Sequence, residues 1–132
     1  MSNLATRRAM TASAVCFAAL GLSLLFAAAE LSALMGLEPG DHVLLELLGA
    51  ALLGFAAMSW IARGSTLGGI YGRPVVAGNQ THLTVGAILL VKHGVEIEST
   101  NPVYWTLTGL YLLGAAYFTY LTFSSSGVQK PS

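Results

Sequence analysis

Five ionisable side chains, Glu30, His42, Glu46, His93 and Glu96, are the best candidates for chemistry in this 132-residue chain. Carboxylates and imidazoles on neighbouring helices can hold a metal ion or pass a proton. The spacings His42-x3-Glu46 and His93-x2-Glu96 each put a pair on one helix face. Neither is the Glu-x-x-His pair of di-iron bundles. A metal set of His42, Glu46, His93 and Glu96 therefore competes with a plainer account, solvated helix-end residues paired with each other or with Lys92. A second set, Glu46, His82, Asn79 and Glu30, is the candidate ligand or proton site. Glu46 lies about a turn inside its helix, where an ionised carboxylate needs a partner or water. His82 lies deeper, in Asn79-Gln80-Thr81-His82. That quartet reads either as interhelical hydrogen bonding or as a polar cavity for a headgroup, a quinone or a proton. No motif indicates a quinone or a metal, so the cofactor is unknown.

Arg63 and Arg73 bracket the glycine-rich stretch from Gly64 to Gly72. That stretch lacks the Gly-Lys-Ser/Thr ending of a P-loop and follows a helix instead of a strand. Lipid-phosphate contacts through Arg63 and Arg73 are the expectation. No nucleophile stands beside a base, and Cys16 is the single cysteine, which excludes an intrachain disulfide. No nucleic-acid surface is visible. A non-enzymatic role is expected.

The elements that must carry these residues follow from composition. Hydrophobic residues make up 55% of the chain and charged ones 9%, against about 25% charged in ordinary soluble domains. A bilayer removes the need for a charged surface. Apolar runs of about twenty residues, enough to cross it, suggest four helices at about 9–35, 42–63, 74–93 and 102–123 in one domain, 1–132. Ala27-Ala28-Ala29 imitates a signal-peptide cleavage site. The uncharged run before it, 12–29, is long for a signal core, so a retained helix is expected. Leu37-Glu38-Pro39-Gly40-Asp41 reads as a turn with Asp41 as the next N-cap. Pro74 and Pro102 open the third and fourth helices, and 124–132 is expected to be a mobile tail.

Four spans place Arg7, Arg8, Arg63, Arg73 and Lys130, five of the six basic residues, on the side of the termini. The acidic residues Glu30, Glu38, Asp41, Glu46, Glu96 and Glu98 lie at or near the other side. Both termini are then cytoplasmic by the positive-inside rule. Small and polar residues mark the expected inward faces. These are Cys16, Ala19, Ser23, Phe26 and Glu30 on the first helix. On the second they are His42, Glu46, Gly49, Ala50, Leu53, Ala57 and Trp60. The third offers Val75, Gly78, His82, Gly86, Leu89 and His93, with Asn79 at the edge. The fourth offers Tyr104, Thr108, Tyr111, Ala115, Thr119 and Thr122.

The run Glu46-Leu-Leu-Gly49-Ala-Ala-Leu-Leu-Gly54-Phe-Ala-Ala-Met58, the arginine after it and Gly72-Arg73-Pro74 resemble small four-helix bacterial membrane proteins of the broad DoxX-like grouping. The likeness covers mainly 41–93. It implies an accessory role in a respiratory or redox assembly of the inner membrane. No functional residue carries over.

The expected fold is all-α, an integral membrane four-helix transmembrane bundle with both termini cytoplasmic. The expected function is that of a structural or accessory subunit in the bacterial inner membrane. Its partners would be the lipid bilayer and a homo-oligomer or larger membrane complex, with no nucleic acid. The alternative is a small proton- or cation-coupled transporter or channel using Glu46 and His82. Multidrug-type exporters with dual topology need balanced loop charges, and the five-to-one bias argues against that version.

Overall fold

No proline interrupts the chain between its start and Glu38, and apolar residues with alanine fill most of it. In the computed structural model this stretch is helical, but not in one piece. Helix α1 runs Asn3–Phe26, and α2 runs Ala28–Leu34. The two are separated at Ala27, which leaves helical geometry at φ −137° and ψ 37°. Hydrogen bonds continue on both sides, from Ala27 N to Ser23 O and from Leu31 N to Ala27 O. The continuous helix expected over 9–35 is thus corrected to two. With alanines at the break and neither proline nor glycine, the sequence carries no marker for it.

Three further helices follow: α3, Val43–Ala62; α4, Gly72–Glu96; and α5, Pro102–Ser124. The structure describes residues 3–38, 40, 42–65 and 72–124. Among these no strand occurs. The expected Asp41 cap, the glycine-rich turn from 66 to 71 and the tail beyond Ser124 lie outside the described residues. α3 starts after His42, which makes no side-chain capping bond.

Helix ends are set by local chemistry. Gly36, at φ 70°, closes α2: its N–H reaches Ala33 O and that of Leu37 reaches Ser32 O. This doubly bonded ending needs one left-handed residue, which glycine adopts without penalty. α4 ends the same way, with Glu98 N to Val95 O and Ser99 N to Gly94 O, but there the left-handed residue is Glu98, at φ 48°. Asn101 then caps α5, its Oδ1 accepting from Val103 N at 2.9 Å. Pro102 follows at the first helical position, where no N–H is needed.

Two compact units result, Met1–Ser65 and Thr66–Ser132. The first is built on α1 against α3. The glycine carbonyls mark the crossing: a Cβ on Gly21 would lie 2.8 Å from Gly49 O, and one on Gly49 would lie 2.8 Å from Gly21 O. Phe17 packs on Phe55 with ring centroids 5.9 Å apart. Lower numbers on α1 thus meet higher numbers on α3, so the pair is antiparallel. The buried face of α1 is Met10, Ala14, Phe17, Gly21 and Leu24, continued by Ala28 of α2. That spacing of four and three is the narrow seam of a coiled coil, with every second member small. On α3 the buried residues are Gly49, Leu52, Ala56, Ser59 and Ala62. Both inward faces differ from expectation: Cys16, Phe26 and Glu30 on the first helix, and Glu46, Ala50, Ala57 and Trp60 on α3, are exposed.

The second unit is α4 against α5, also antiparallel. Here the expected face of α5 holds at Tyr104, Thr108 and Tyr111, all buried. On α4 the buried positions are Gly72, Val76, Asn79, Leu83, Ala87 and Gly94. Asn79, expected at the edge, is wholly buried.

Among the described residues three helices are long and apolar enough to cross a membrane: Arg7–Phe26, Val43–Ala62 and Gly72–Glu96. Four were expected. α5 has the length, 23 residues, and no charged residue. Its tyrosines and threonines lower its average below that of a span.

Candidate functional site

The polar residues of the second unit converge on the α4–α5 seam. Gln80 bridges to two residues of α5: its Nε2 donates to Thr119 Oγ1 at 3.3 Å, and its Oε1 accepts from Thr122 Oγ1 at 2.8 Å. The Thr122 hydroxyl also lies 2.9 Å from Phe118 O. With one proton, it shares or alternates between the two acceptors. Two residues further along α4, His82 Nε2 lies 3.3 Å from the Tyr111 hydroxyl. Either the phenol donates to a neutral ring nitrogen or the ring N–H donates to the phenol oxygen.

Glycines let the tyrosines approach. A Cβ on Gly86 would sit 2.6 Å from Tyr111 Cε1, and one on Gly94 would sit 2.7 Å from Tyr104 Cε1. Each ring therefore lies in a notch that only glycine leaves open. The two notches repeat one arrangement. In each, the phenol reaches the residue four positions before its glycine: Tyr111 meets the His82 ring, and Tyr104 donates to Leu90 O at 2.8 Å. One closes on a side chain and the other on a backbone carbonyl. Beside the second, Trp105 Nε1 donates to Ser99 O at 2.7 Å, and the His93 ring lies 6.3 Å from that of Tyr104.

Several other hydroxyls are handled within their own helices. Ser13, Ser23, Ser32, Thr106 and Thr108 each donate to the carbonyl four residues back. That is how a hydroxyl is tolerated where no water competes.

The expected site residues are thus dispersed. Glu30 is exposed in the first turn of α2, where a carboxylate is favoured by the helix dipole. Glu46 is exposed one turn into α3, its N–H bonded to His42 O at 3.0 Å. His42 is half-buried. His93 and Glu96 are exposed at the end of α4, and Glu96 pairs with Lys92 at 3.6 Å. This is the solvated pairing that competed with the metal set. Among the described residues no three His, Cys, Asp or Glu side chains group to hold an ion. Of the ligand set, Asn79 and His82 share the second unit, and Glu30 and Glu46 belong to the first. Arg73 is exposed in the first turn of α4, while Arg63 is half-buried at the end of α3.

The interhelical hydrogen bonding weighed for the quartet 79–82 is made by Gln80, whose particular partners sequence reasoning did not name. Its signal was a neutral amide in a helix facing another with threonines three apart, Thr119 and Thr122. Sequence reasoning also missed the seam of the first unit. There the signal was a heptad of small residues: Ala14, Gly21 and Ala28, then Gly49 and Ala56.

Comparison with protein-family models, with curated proteins and with solved structures finds no match to this chain, so its function is argued from its own residues.

Proposed function

We propose that this chain is a multi-pass protein of the bacterial inner membrane. In this reading α1, α3, α4 and α5 cross the bilayer as a four-helix bundle with both termini cytoplasmic. It serves as a structural or accessory subunit of a membrane assembly, in keeping with the DoxX-like resemblance of 46–58 and 72–74. The supporting observation is the division of faces. Polar groups turn into the helix pairs, while Leu44, Ile61, Ile88, Leu110, Leu113 and Phe123 are exposed. Outward apolar faces suit lipid or a partner helix. α5 joins the spans on the same ground, because Tyr104 and Tyr111 are turned inward and Thr106, Thr108 and Thr122 are bonded to their own backbone. A whole-helix average does not register that sorting.

Association would use the outer face of α3. Ala50, Gly54 and Ala57 are exposed there, and no atom lies within 4 Å of a Cβ built on Gly54. Gly114 is different, because its Cβ would meet Leu83 Cδ1 at 3.0 Å. The test is Gly54→Leu, with size measured in mild detergent and in nanodiscs. Loss of a larger assembly with unchanged helicity supports the proposal. A wild type that is monomeric in both media removes it.

A proton- or cation-coupled transporter is the second reading. What favours it is His82, a titratable side chain held against Tyr111 within a helix pair. Proton-coupled flux in vesicles that survives both Glu46→Gln and His82→Ala would eliminate a relay through these residues.

A further inference from the structure

We infer that Arg63 and Trp60, at the end of α3, form a binding site for the phosphate of an anionic phospholipid. The two residues are three apart on one helix face, and the Arg63 guanidinium carbon lies 3.3 Å from the Trp60 ring centroid. Such a stack attracts the cation and holds its planar fork in one orientation. Trp60 is half exposed, so the stack stands at the surface. Arg63 Nη1 is enclosed and has no hydrogen-bond acceptor. Among the described residues no carboxylate pairs with this guanidinium; the ion pair present is Lys92–Glu96. An arginine at a helix C-terminus ordinarily bonds the last carbonyls. Here the guanidinium lies against the Trp60 ring.

A guanidinium without a carboxylate at the end of a membrane-length helix takes its counter-ion from outside the chain. A phosphodiester matches it in charge and offers paired oxygens to the fork. A lipid phosphate and a free phosphate share that chemistry. The surroundings favour the lipid. Ala57, three residues before Trp60 on the same helix face, is exposed and leaves apolar surface beside the ring for an acyl chain. The indole ring beside the charge suits the headgroup level, where tryptophans concentrate.

The inference rests on the membrane reading, and the experiment separates the two. The full chain is reconstituted into vesicles of phosphatidylcholine containing phosphatidylglycerol, and flotation reports insertion. Spin-labelled forms of both lipids then report which one the protein retains. Wild type is expected to prefer phosphatidylglycerol by about fivefold, the size set by one basic side chain at an anionic surface. Arg63→Gln should abolish the preference. Arg63→Lys keeps the charge but loses the planar fork, and should fall below wild type. Arg8→Gln, an exposed arginine on α1, should leave the preference intact. A preference equal to wild type in either Arg63 variant overturns the inference. So does displacement of phosphatidylglycerol by inorganic phosphate, which would make the ligand a free anion. Protein that floats without preferring phosphatidylglycerol defeats this inference alone, while protein that does not float defeats the membrane reading as well.

Discussion

Amides and phenols inside an apolar helix pair are stable only if their bonds are made within reach. Gln80 and Tyr111 show two ways of achieving this, and substitution should separate them. Gln80→Ala removes both bridges to α5 and should cost about 1 kcal/mol, at roughly 0.6 kcal/mol per interhelical bond. Tyr111→Phe removes only the hydroxyl from the His82 ring and should cost less. Gly86→Ala should cost more than either, because a methyl group there meets the Tyr111 ring at 2.6 Å. Overpacking of that kind typically costs about 1–3 kcal/mol. Thermal unfolding in detergent, followed by circular dichroism, ranks all three. Glu98→Gly should move the other way: a side chain at φ 48° is strained, and glycine relieves about 1 kcal/mol. An unchanged or lowered midpoint would show that the Glu98 side chain compensates for its backbone. His82 was legible in the sequence because an imidazole does not face lipid without reason. The partners of Gln80 were not, because they depend on a register set by tyrosines settling on glycines, which periodicity does not reveal.

Elements are held at closest range where glycine faces glycine. Gly21 and Gly49 bring the backbones of α1 and α3 together, and neither carbonyl can move aside like a flexible side chain. Gly49→Ala should therefore separate the pair and destabilise the first unit by about 1–3 kcal/mol. Gly54→Ala, with open space around it, should be neutral or stabilising by up to about 1 kcal/mol through helix propensity. Equal effects at the two sites would deny that the Gly21–Gly49 crossing exists. The number and length of long helices were legible from apolar runs and prolines. The inward face of α3 was not, because Glu46 was taken as its marker. An acid one turn from a helix end reaches the interface and need not turn inward. The small-residue heptad was the sounder guide, since close backbone approach requires it. The break at Ala27 was unreadable, as alanine is the strongest helix former.

The whole chain's arrangement across the bilayer rests on its charges. Reporter fusions after Gly68 and after Lys130 should both read cytoplasmic, and one after Glu98 should read periplasmic. A periplasmic signal at Lys130 would leave α5 outside the membrane, and a cytoplasmic signal at Glu98 would sink the four-span reading. The four-span expectation rested on length and lack of charge, and α5 meets both. Its average falls short because tyrosine and threonine count as polar wherever they point.

The connection from α4 to α5 has a consequence for how the protein is made. Only residues 97–101 join the two helices, a tether of about 17 Å at full extension. That tether is folded by the Glu98 ending, the Asn101 cap and the Trp105 bond to Ser99. In the proposed four-span arrangement, neither helix leaves the insertion machinery without its neighbour close beside it. The two should enter the bilayer together as a hairpin, carrying Glu96 and Glu98 across at its tip. A nascent chain arrested with only α4 emerged would present Asn79, Gln80 and His82 to lipid, and should be held back or degraded until α5 arrives.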